Sequence, residues 1–203
     1  YVLALGFSGV VAEKTGAAQV LYNRMSGLVS AIVDTWCQAT GCTEVYLADV
    51  LSGSPEAAGQ LREVLAEVRD GPFTAVDLAT RLEHFVCENE EIVGPAGDAL
   101  ARGELERFGL LVDRSQALAT DLLQNQLPQT DALAALAREA GAAAASAFGA
   151  GFGGSVWALV QEEVAVDFLT DWTAAYGAAF DAERDRADFF LSQAGPAAFA
   201  LEE

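Results

Sequence analysis

The chain has little positive charge and no long hydrophobic run. Its 203 residues contain 11 lysines and arginines against 30 aspartates and glutamates, a formal net charge of −19, and Lys14 is the only lysine. This balance excludes partners with negative surfaces, such as nucleic-acid backbones and anionic membranes. No apolar run approaches the roughly 20 residues that span a bilayer, and no signal peptide opens the sequence. We therefore expect a soluble protein. The acidic excess fits a high-salt host or, more simply, a surface charge that maintains solubility.

Cysteine and histidine are also scarce. Cys37, Cys42 and Cys87 are odd in number, match neither a metal-binding nor a C-x-x-C spacing, and lie in apolar, helix-like surroundings. We predict that they are reduced and structural in an intracellular protein. The one histidine, His84, shares a helix face with Glu88 and Glu91 at spacings i, i+4 and i+7. With a single histidine available, this pattern predicts a polar or interface face in preference to a metal site.

Most of the chain has helical hydrophobic patterns, and a few strand patterns lie among them. The helical patterns cover residues 13–40, 76–101, 104–124, 128–141 and 162–180, and a further one opens at Ser54-Pro55 with serine as N-cap and proline at the first helical position. Gly94-Pro95 is a candidate interruption. Strand patterns cover residues 1–5, 142–148, 155–160 and 188–192, with a last extended piece at 199–201. This mixture predicts a helix-rich α+β fold, with a small antiparallel sheet packed against helices.

A glycine-rich loop separates two of these strand patterns. It consists of Gly149, Ala150, Gly151, Phe152, Gly153 and Gly154. Glycine permits positive φ, and such a backbone can turn its N–H groups into a concave anion site. The G-x-G-x-x-G spacing also fits a dinucleotide site, but that motif must open into a helix, and the segment after Gly154 has strand character. The remaining alternatives are a ligand-binding loop and a tight turn without a ligand.

Three features near the start of the chain bear on its function. The sequence begins at Tyr1 without a methionine, directly in a strand pattern, so we expect it to be a piece of a longer protein. Lys14 follows a glycine turn and is either a phosphate contact or, more simply, part of a helix start. Tyr22 lies beside Leu21 at helical spacing, and the residues alone predict a core tyrosine.

Five short motifs follow one another along the chain. They are Ser8-Gly9-Val10 with Tyr22-Asn23; Arg81-x-x-His84-x-x-x-Glu88-Asn89; Phe108-Gly109-x-Leu111 with Ser115; Pro128-Gln129-x-Asp131-x-Leu133; and the glycine loop with Val156 and Ala158-Leu159-Val160. In this order they resemble the C-terminal half of galactokinases, a branch of the GHMP superfamily of sugar kinases. The resemblance implies that residues 1–203 form a GHMP-kinase-like C-terminal domain.

The resemblance also implies an activity for the complete protein. That activity is the ATP-dependent phosphorylation of a sugar hydroxyl, typically the anomeric one, with Mg²⁺ accompanying ATP in the cytoplasm. Tyr22 would contact the sugar, and the loop at residues 149–154 would line the active site. The family's acidic sugar-binding motif, serine-rich phosphate loop and catalytic aspartate belong to the N-terminal half and have no counterpart here. We therefore predict no catalytic residue in this chain, no activity of the chain alone, and self-association through apolar surface that the other half would cover.

Several positions depart from the galactokinase pattern. Gln116 replaces a histidine, Ser146-Ala147-Phe148 replaces Arg-Met-Thr, Ser155 replaces a cysteine, and Arg24 follows Tyr22-Asn23 without the usual intervening residue. These changes leave the sugar open to galactose or a relative such as a uronic acid, a pentose or an amino sugar. Two other hypotheses remain: a non-catalytic sugar sensor or regulatory partner, and a helical interaction domain whose glycine loop is purely structural.

Overall fold

The structure, a computed structural model, describes residues 1–12 and 19–195. Lys14, the predicted helix start at residues 13–18 and the extended piece at 199–201 lie outside this range. The chain divides into two compact units: the sheet unit, formed by Tyr1–Val11 and Leu127–Glu203, and the helical unit, formed by Ala12–Gln126. None of the described helices is long and apolar enough to cross a membrane.

Helices and strands follow one another in an irregular order. They are β1 (Val2–Phe7), α1 (Gln19–Thr40), α2 (Leu47–Ser52), α3 (Ala57–Ala66), α4 (Ala75–Val86), a π-helical segment (Cys87–Ile92), α5 (Val93–Arg102), α6 (Leu105–Leu118), a second π-helical segment (Ala119–Leu123), α7 (Pro128–Glu139), β2 (Ala144–Ala147), β3 (Ser155–Val160), a 3₁₀ turn (Glu162–Val164), α8 (Ala165–Ala179) and β4 (Asp188–Ser192). The predicted α+β class is confirmed, and so are the glycine hairpin and the final strand.

The sheet unit is a four-stranded antiparallel sheet covered by α7 and α8. Its strand order is β2-β3-β1-β4, and β1 pairs with β3 from Val2 opposite Val160 to Phe7 opposite Ser155. Side chains alternate along β3, so that Val156, Ala158 and Val160 point into the core. Against them pack the fully buried Trp172 and Tyr176 of α8 and residues of α7. The Trp172 indole N–H donates to the Leu133 carbonyl of α7 at 3.0 Å, which joins the two helices.

The helical unit has a separate aliphatic core. Leucines from four helices meet in it, among them Leu28, Leu61, Leu65, Leu78 and Leu82. Helix α4 begins with a capping box, in which Thr74 and Asp77 each bond the other's backbone N–H. This capping box fixes the residue at which α4 begins. The leucines of α4 face the core, and its polar side chains lie along the edge of the core.

Three helix predictions need adjustment. Helix α3 begins at Ala57 with Glu56 as N-cap, whereas Ser54-Pro55 forms a turn before it. Helix α2, which was not predicted, is too short for its periodicity to show in the sequence. The helical stretch over residues 76–101 is interrupted, but at the π-helical segment Cys87–Ile92 that precedes Gly94-Pro95.

The prediction of three reduced cysteines is wrong. Cys37 and Cys42 form a disulfide with their Cα atoms 4.5 Å apart, and Cys87 is the free cysteine. Helix α1 ends at Thr40, and Gly41 adopts φ +76° while its N–H donates to the Cys37 carbonyl. This turn brings Cys42 back against Cys37. The sequence pattern ended the helix before Cys42, but it did not indicate that the chain turns back on Cys37.

Candidate functional site

The glycine loop connects β2 to β3 as a hairpin of left-handed backbone. Four consecutive residues have positive φ: Gly151 (+83°), Phe152 (+60°), Gly153 (+120°) and Gly154 (+91°). Phe152 and Gln124 are the non-glycine residues with positive φ in the described part of the chain. A side chain in this region costs about 1–2 kcal/mol. The hairpin therefore holds Phe152 in a backbone conformation that a non-glycine residue disfavours, as is common at ligand-binding sites.

The base of this loop is tied to the segment that follows β1. The Ser8 N–H donates to the Gly154 carbonyl at 3.0 Å, and the Gly154 N–H donates to the Val10 carbonyl at 2.8 Å. The Val10 N–H donates to the Ser8 hydroxyl oxygen at 3.2 Å. We call Ser8, Gly9, Val10 and Gly154 the loop clamp. Because the clamp occupies the Gly154 N–H, a phosphate bound by this loop would take its donors from earlier loop residues.

Tyr176 secures the loop clamp from the core side. Its hydroxyl donates to the Ser8 carbonyl at 2.7 Å, and both residues are fully buried. Burial raises the pKa of Tyr176 to about 12, so the hydroxyl remains a donor at neutral pH. A direct line of contacts thus runs from α8 through Ser8 to the last glycine of the loop. No sequence pattern indicated it, because Ser8 lies more than 140 positions from both Gly154 and Tyr176.

Tyr22, the predicted sugar contact, belongs to the helical unit. It lies in the first turn of α1, and its side chain is half-buried, unlike the fully buried core residues of that unit. Its role stays a prediction. The glycine loop belongs to the sheet unit, so the two predicted sites belong to different units.

Arg81 and His84 of α4 form a polar pair at the edge of the helical core. The Arg81 guanidinium lies 3.1 Å from His84 Nδ1. Since arginine can only donate, Nδ1 accepts, and the proton of neutral His84 is on Nε2. Burial, assisted by the Arg81 charge, lowers the pKa of His84 from 6.5 to about 4. His84 is therefore neutral at physiological pH.

Two of the sequence motifs meet in the helical unit. The Ser115 hydroxyl of α6 donates to the Glu88 carboxylate at 2.6 Å, and Arg114 pairs with Glu91. Glu88 and Glu91 lie in the π-helical segment, whose wider turn changes their phase relative to α4. The two carboxylates therefore bind α6 and do not continue the face of α4 that carries His84. The partner of the Ser115 hydroxyl is the Glu88 carboxylate, and this contact joins α6 to the π-helical segment.

Comparison with known proteins shows what this chain is similar to. Residues 98–178 match the family described as GHMP kinases C terminal. They include the entire glycine hairpin. A galactokinase from Roseiflexus sp. (strain RS-1) is 36% identical over 100 residues, which is 49% of this chain and 25% of that protein. The predicted resemblance to galactokinases is confirmed, because both the family match and this relative point to the same superfamily.

A solved structure supports the fold independently. Lactococcus lactis galactokinase, determined in complex with galactose, superposes with a TM-score of 0.72 at 23% identity. The superposition covers 95% of this chain and 45% of the galactokinase chain. The chain therefore spans less than half the length of the relatives that it matches. At this level of identity the likeness establishes the fold.

Replacing Gly9 by alanine tests the loop clamp. Gly9 has φ +78°, and an added Cβ would lie 3.0 Å from the Glu183 carbonyl oxygen and 3.2 Å from Arg186 Cβ. We expect Gly9→Ala to lower the free energy of unfolding by about 2–3 kcal/mol, from backbone strain and the clash together. Gly141→Ala is the control, because Gly141 also has positive φ (+100°) but open space around it. Urea unfolding followed by tryptophan fluorescence measures both. Equal losses would contradict the tight packing at Gly9.

His84 predicts a specific pH dependence of stability. The pKa of His84 is 6.5 in the unfolded chain and about 4 in the folded chain. Between these two pH values His84 is mostly protonated in the unfolded chain and mostly neutral in the folded chain. The stabilising contribution is complete above pH 6.5 and decreases as the pH falls towards 4. We expect the difference in unfolding free energy between the native protein and His84→Gln to shrink as the pH falls from about 7 to about 4.5. The comparison isolates His84, because the carboxylates titrate in both proteins. A pH-independent difference would contradict a neutral His84.

Proposed function

We propose that the chain is the C-terminal part of an ATP-dependent sugar kinase that phosphorylates galactose or a related sugar at the anomeric hydroxyl. The observation that carries the proposal is the clamped glycine loop, in which left-handed backbone is maintained within a region that matches GHMP kinases. The galactokinase from Roseiflexus supports the choice of sugar kinase within that superfamily. On this proposal both units, residues 1–203, form one C-terminal domain of a longer protein.

The role of the loop follows from what phosphoryl transfer requires. Charge develops on the transferred group, and catalysis depends on positioning that group and placing donors towards its oxygens. The glycine-rich backbone of residues 149–153 would let a phosphate approach closely, and the clamp fixes the end of the loop at Gly154. Mg²⁺ bound with ATP would neutralise phosphate charge, an important contribution in a chain of net charge −19. The general base and the metal ligands belong, on this proposal, to the N-terminal half.

Two further assignments rest on the resemblance alone. Tyr22 contacts the sugar through its hydroxyl, and its half-buried position leaves part of the ring accessible. The resemblance also implies a cytoplasmic protein, in which the Cys37–Cys42 disulfide would be an exception, because such bonds are rare where thiols are kept reduced.

Replacing Gly151 by valine in the complete protein tests the kinase role. Gly151 is buried at φ +83°, a conformation that a β-branched residue resists, so the loop must move. We expect kcat to fall by at least about 100-fold, because small displacements of positioning groups have effects of this size. Circular dichroism checks that the fold is retained. Gly141→Val, also at positive φ but in open space outside the loop, is the matched control for backbone strain.

The outcome separates the candidate functions. An unchanged kcat in folded Gly151→Val would overturn the loop's role in transfer and favour a structural hairpin. A complete native protein that binds sugar without turnover would favour a non-catalytic sensor, to which the departure at Gln116 lends some support.

The chain alone provides a second test. Without the N-terminal half we expect no sugar phosphorylation, weak ATP binding at most, and self-association through uncovered apolar surface. Calorimetric titration measures the affinity for ATP, and sedimentation velocity measures association. Micromolar ATP affinity would contradict the assignment of the main nucleotide contacts to the other half.

A further inference from the structure

A second candidate site lies entirely within the helical unit, at a small cavity between α1, α4 and the end of the second π-helical segment. Its volume is about 170 Å³, room for a small ion or organic acid but too little for a nucleotide. Five of its lining residues are aliphatic. The polar ones are Arg24, Asp77, Thr80, Arg81 and Gln124.

Arg81 is the unusual member of this set. Its Nε atom is buried and has no hydrogen-bond partner, and Arg81 forms no salt bridge with any residue in the described ranges 1–12 and 19–195. Its terminal contact with neutral His84 supplies no negative charge. Burial lowers the pKa of Arg81 and the charge of Glu88 raises it, but the two side chains form no ion pair, and arginine stays protonated. A partly buried cation whose Nε donor is unsatisfied is costly, and native proteins normally compensate it.

Arg24 lies on the same cavity in a fixed position. Its guanidinium bonds Asp77 at 2.6 Å and lies 5.3 Å from the centre of the Phe73 ring. Asp77 in turn is held by the capping box with Thr74, so Arg24 is oriented by a fixed carboxylate and by the Phe73 ring. This pair uses one N–H group of Arg24. A guanidinium has five, which leaves donors for a ligand.

The charge of the cavity is opposite to that of the chain. Two arginines and one aspartate give its lining a net charge of +1, in a protein of net charge −19. Thr80 and Gln124 add neutral donors. Arg81 also borders a second cavity of about 210 Å³, but Glu88 lines that one and disfavours an anion there.

We propose that the cavity lined by Arg24 and Arg81 binds a small oxyanion, a carboxylate or a phosphate, whose oxygens accept hydrogen bonds from both guanidinium groups. Planar guanidinium groups suit such ligands because they bond two oxygens at once. This site is separate from the glycine loop and does not depend on the proposed kinase reaction.

Calorimetric titration of the complete protein with inorganic phosphate and with malonate tests the proposal. A non-hydrolysable ATP analogue fills the nucleotide site, and sodium chloride at equal ionic strength controls for screening. We expect saturable binding of at least one anion, weakened at least about tenfold by Arg81→Gln, because a charge-assisted bond is lost. Preference for malonate or phosphate identifies the ligand class. Arg102→Gln is the matched control, since Arg102 is an exposed arginine of α5, paired with Asp98, outside the cavity.

Arg24→Gln provides a second variant if Arg81→Gln does not fold, and it too should weaken binding. Absence of binding by both anions, or equal affinity in the native protein and in whichever cavity variant folds, would overturn the proposal. Sugar phosphorylation by the native protein is measured separately. An active kinase without Arg81-dependent binding overturns the oxyanion site alone, whereas an inactive protein that retains such binding overturns the proposed function alone.

Discussion

The sheet unit depends on a short series of buried hydrogen bonds at the end of β1. Tyr176 donates to the Ser8 carbonyl, Ser8 donates to Gly154, and Gly154 donates to Val10. Ser8 and Tyr176 are fully buried, so loss of any partner would leave a buried polar group unsatisfied, at a cost of about 1–3 kcal/mol. These bonds therefore complete the core, and they also hold the glycine loop at Gly154, the residue that precedes β3.

This coupling restricts the conformation of the loop. A glycine-rich hairpin in water would sample many conformations, since glycine has few steric limits. Here one end is anchored to the core, and Phe152 adopts φ +60° within the turn. A loop constrained in this way holds its N–H groups in one arrangement before a ligand arrives, which reduces the entropy lost on binding. Such preorganisation is what a phosphate-positioning loop requires.

The helical unit uses polar contacts differently. Ser115 binds Glu88 and Arg114 binds Glu91, so two of the galactokinase-like motifs meet at one interface between α6 and the π-helical segment. The resemblance identified these motifs without indicating what they contact. Glu88 and Ser115 were assigned to separate helices in the sequence, and helical periodicity contains no information on which helices become neighbours. Arg81 was likewise visible only as part of a motif, and only the packed structure shows that its Nε atom has no hydrogen-bond partner.

The sequence by itself determined the helix-rich α+β class, the hairpin around residues 149–154 and the strand at Asp188–Ser192, because these features depend on local periodicity and on glycine. It also contained the motifs by which the chain resembles galactokinases. Only the tertiary structure decided the strand order β2-β3-β1-β4, the Cys37–Cys42 disulfide and the Ser8–Gly154 clamp. Strand order and clamp join residues far apart in sequence, and the disulfide depends on one left-handed glycine. A side-chain pattern records which face of an element is apolar, but the partner of that face is chosen by packing of the whole chain.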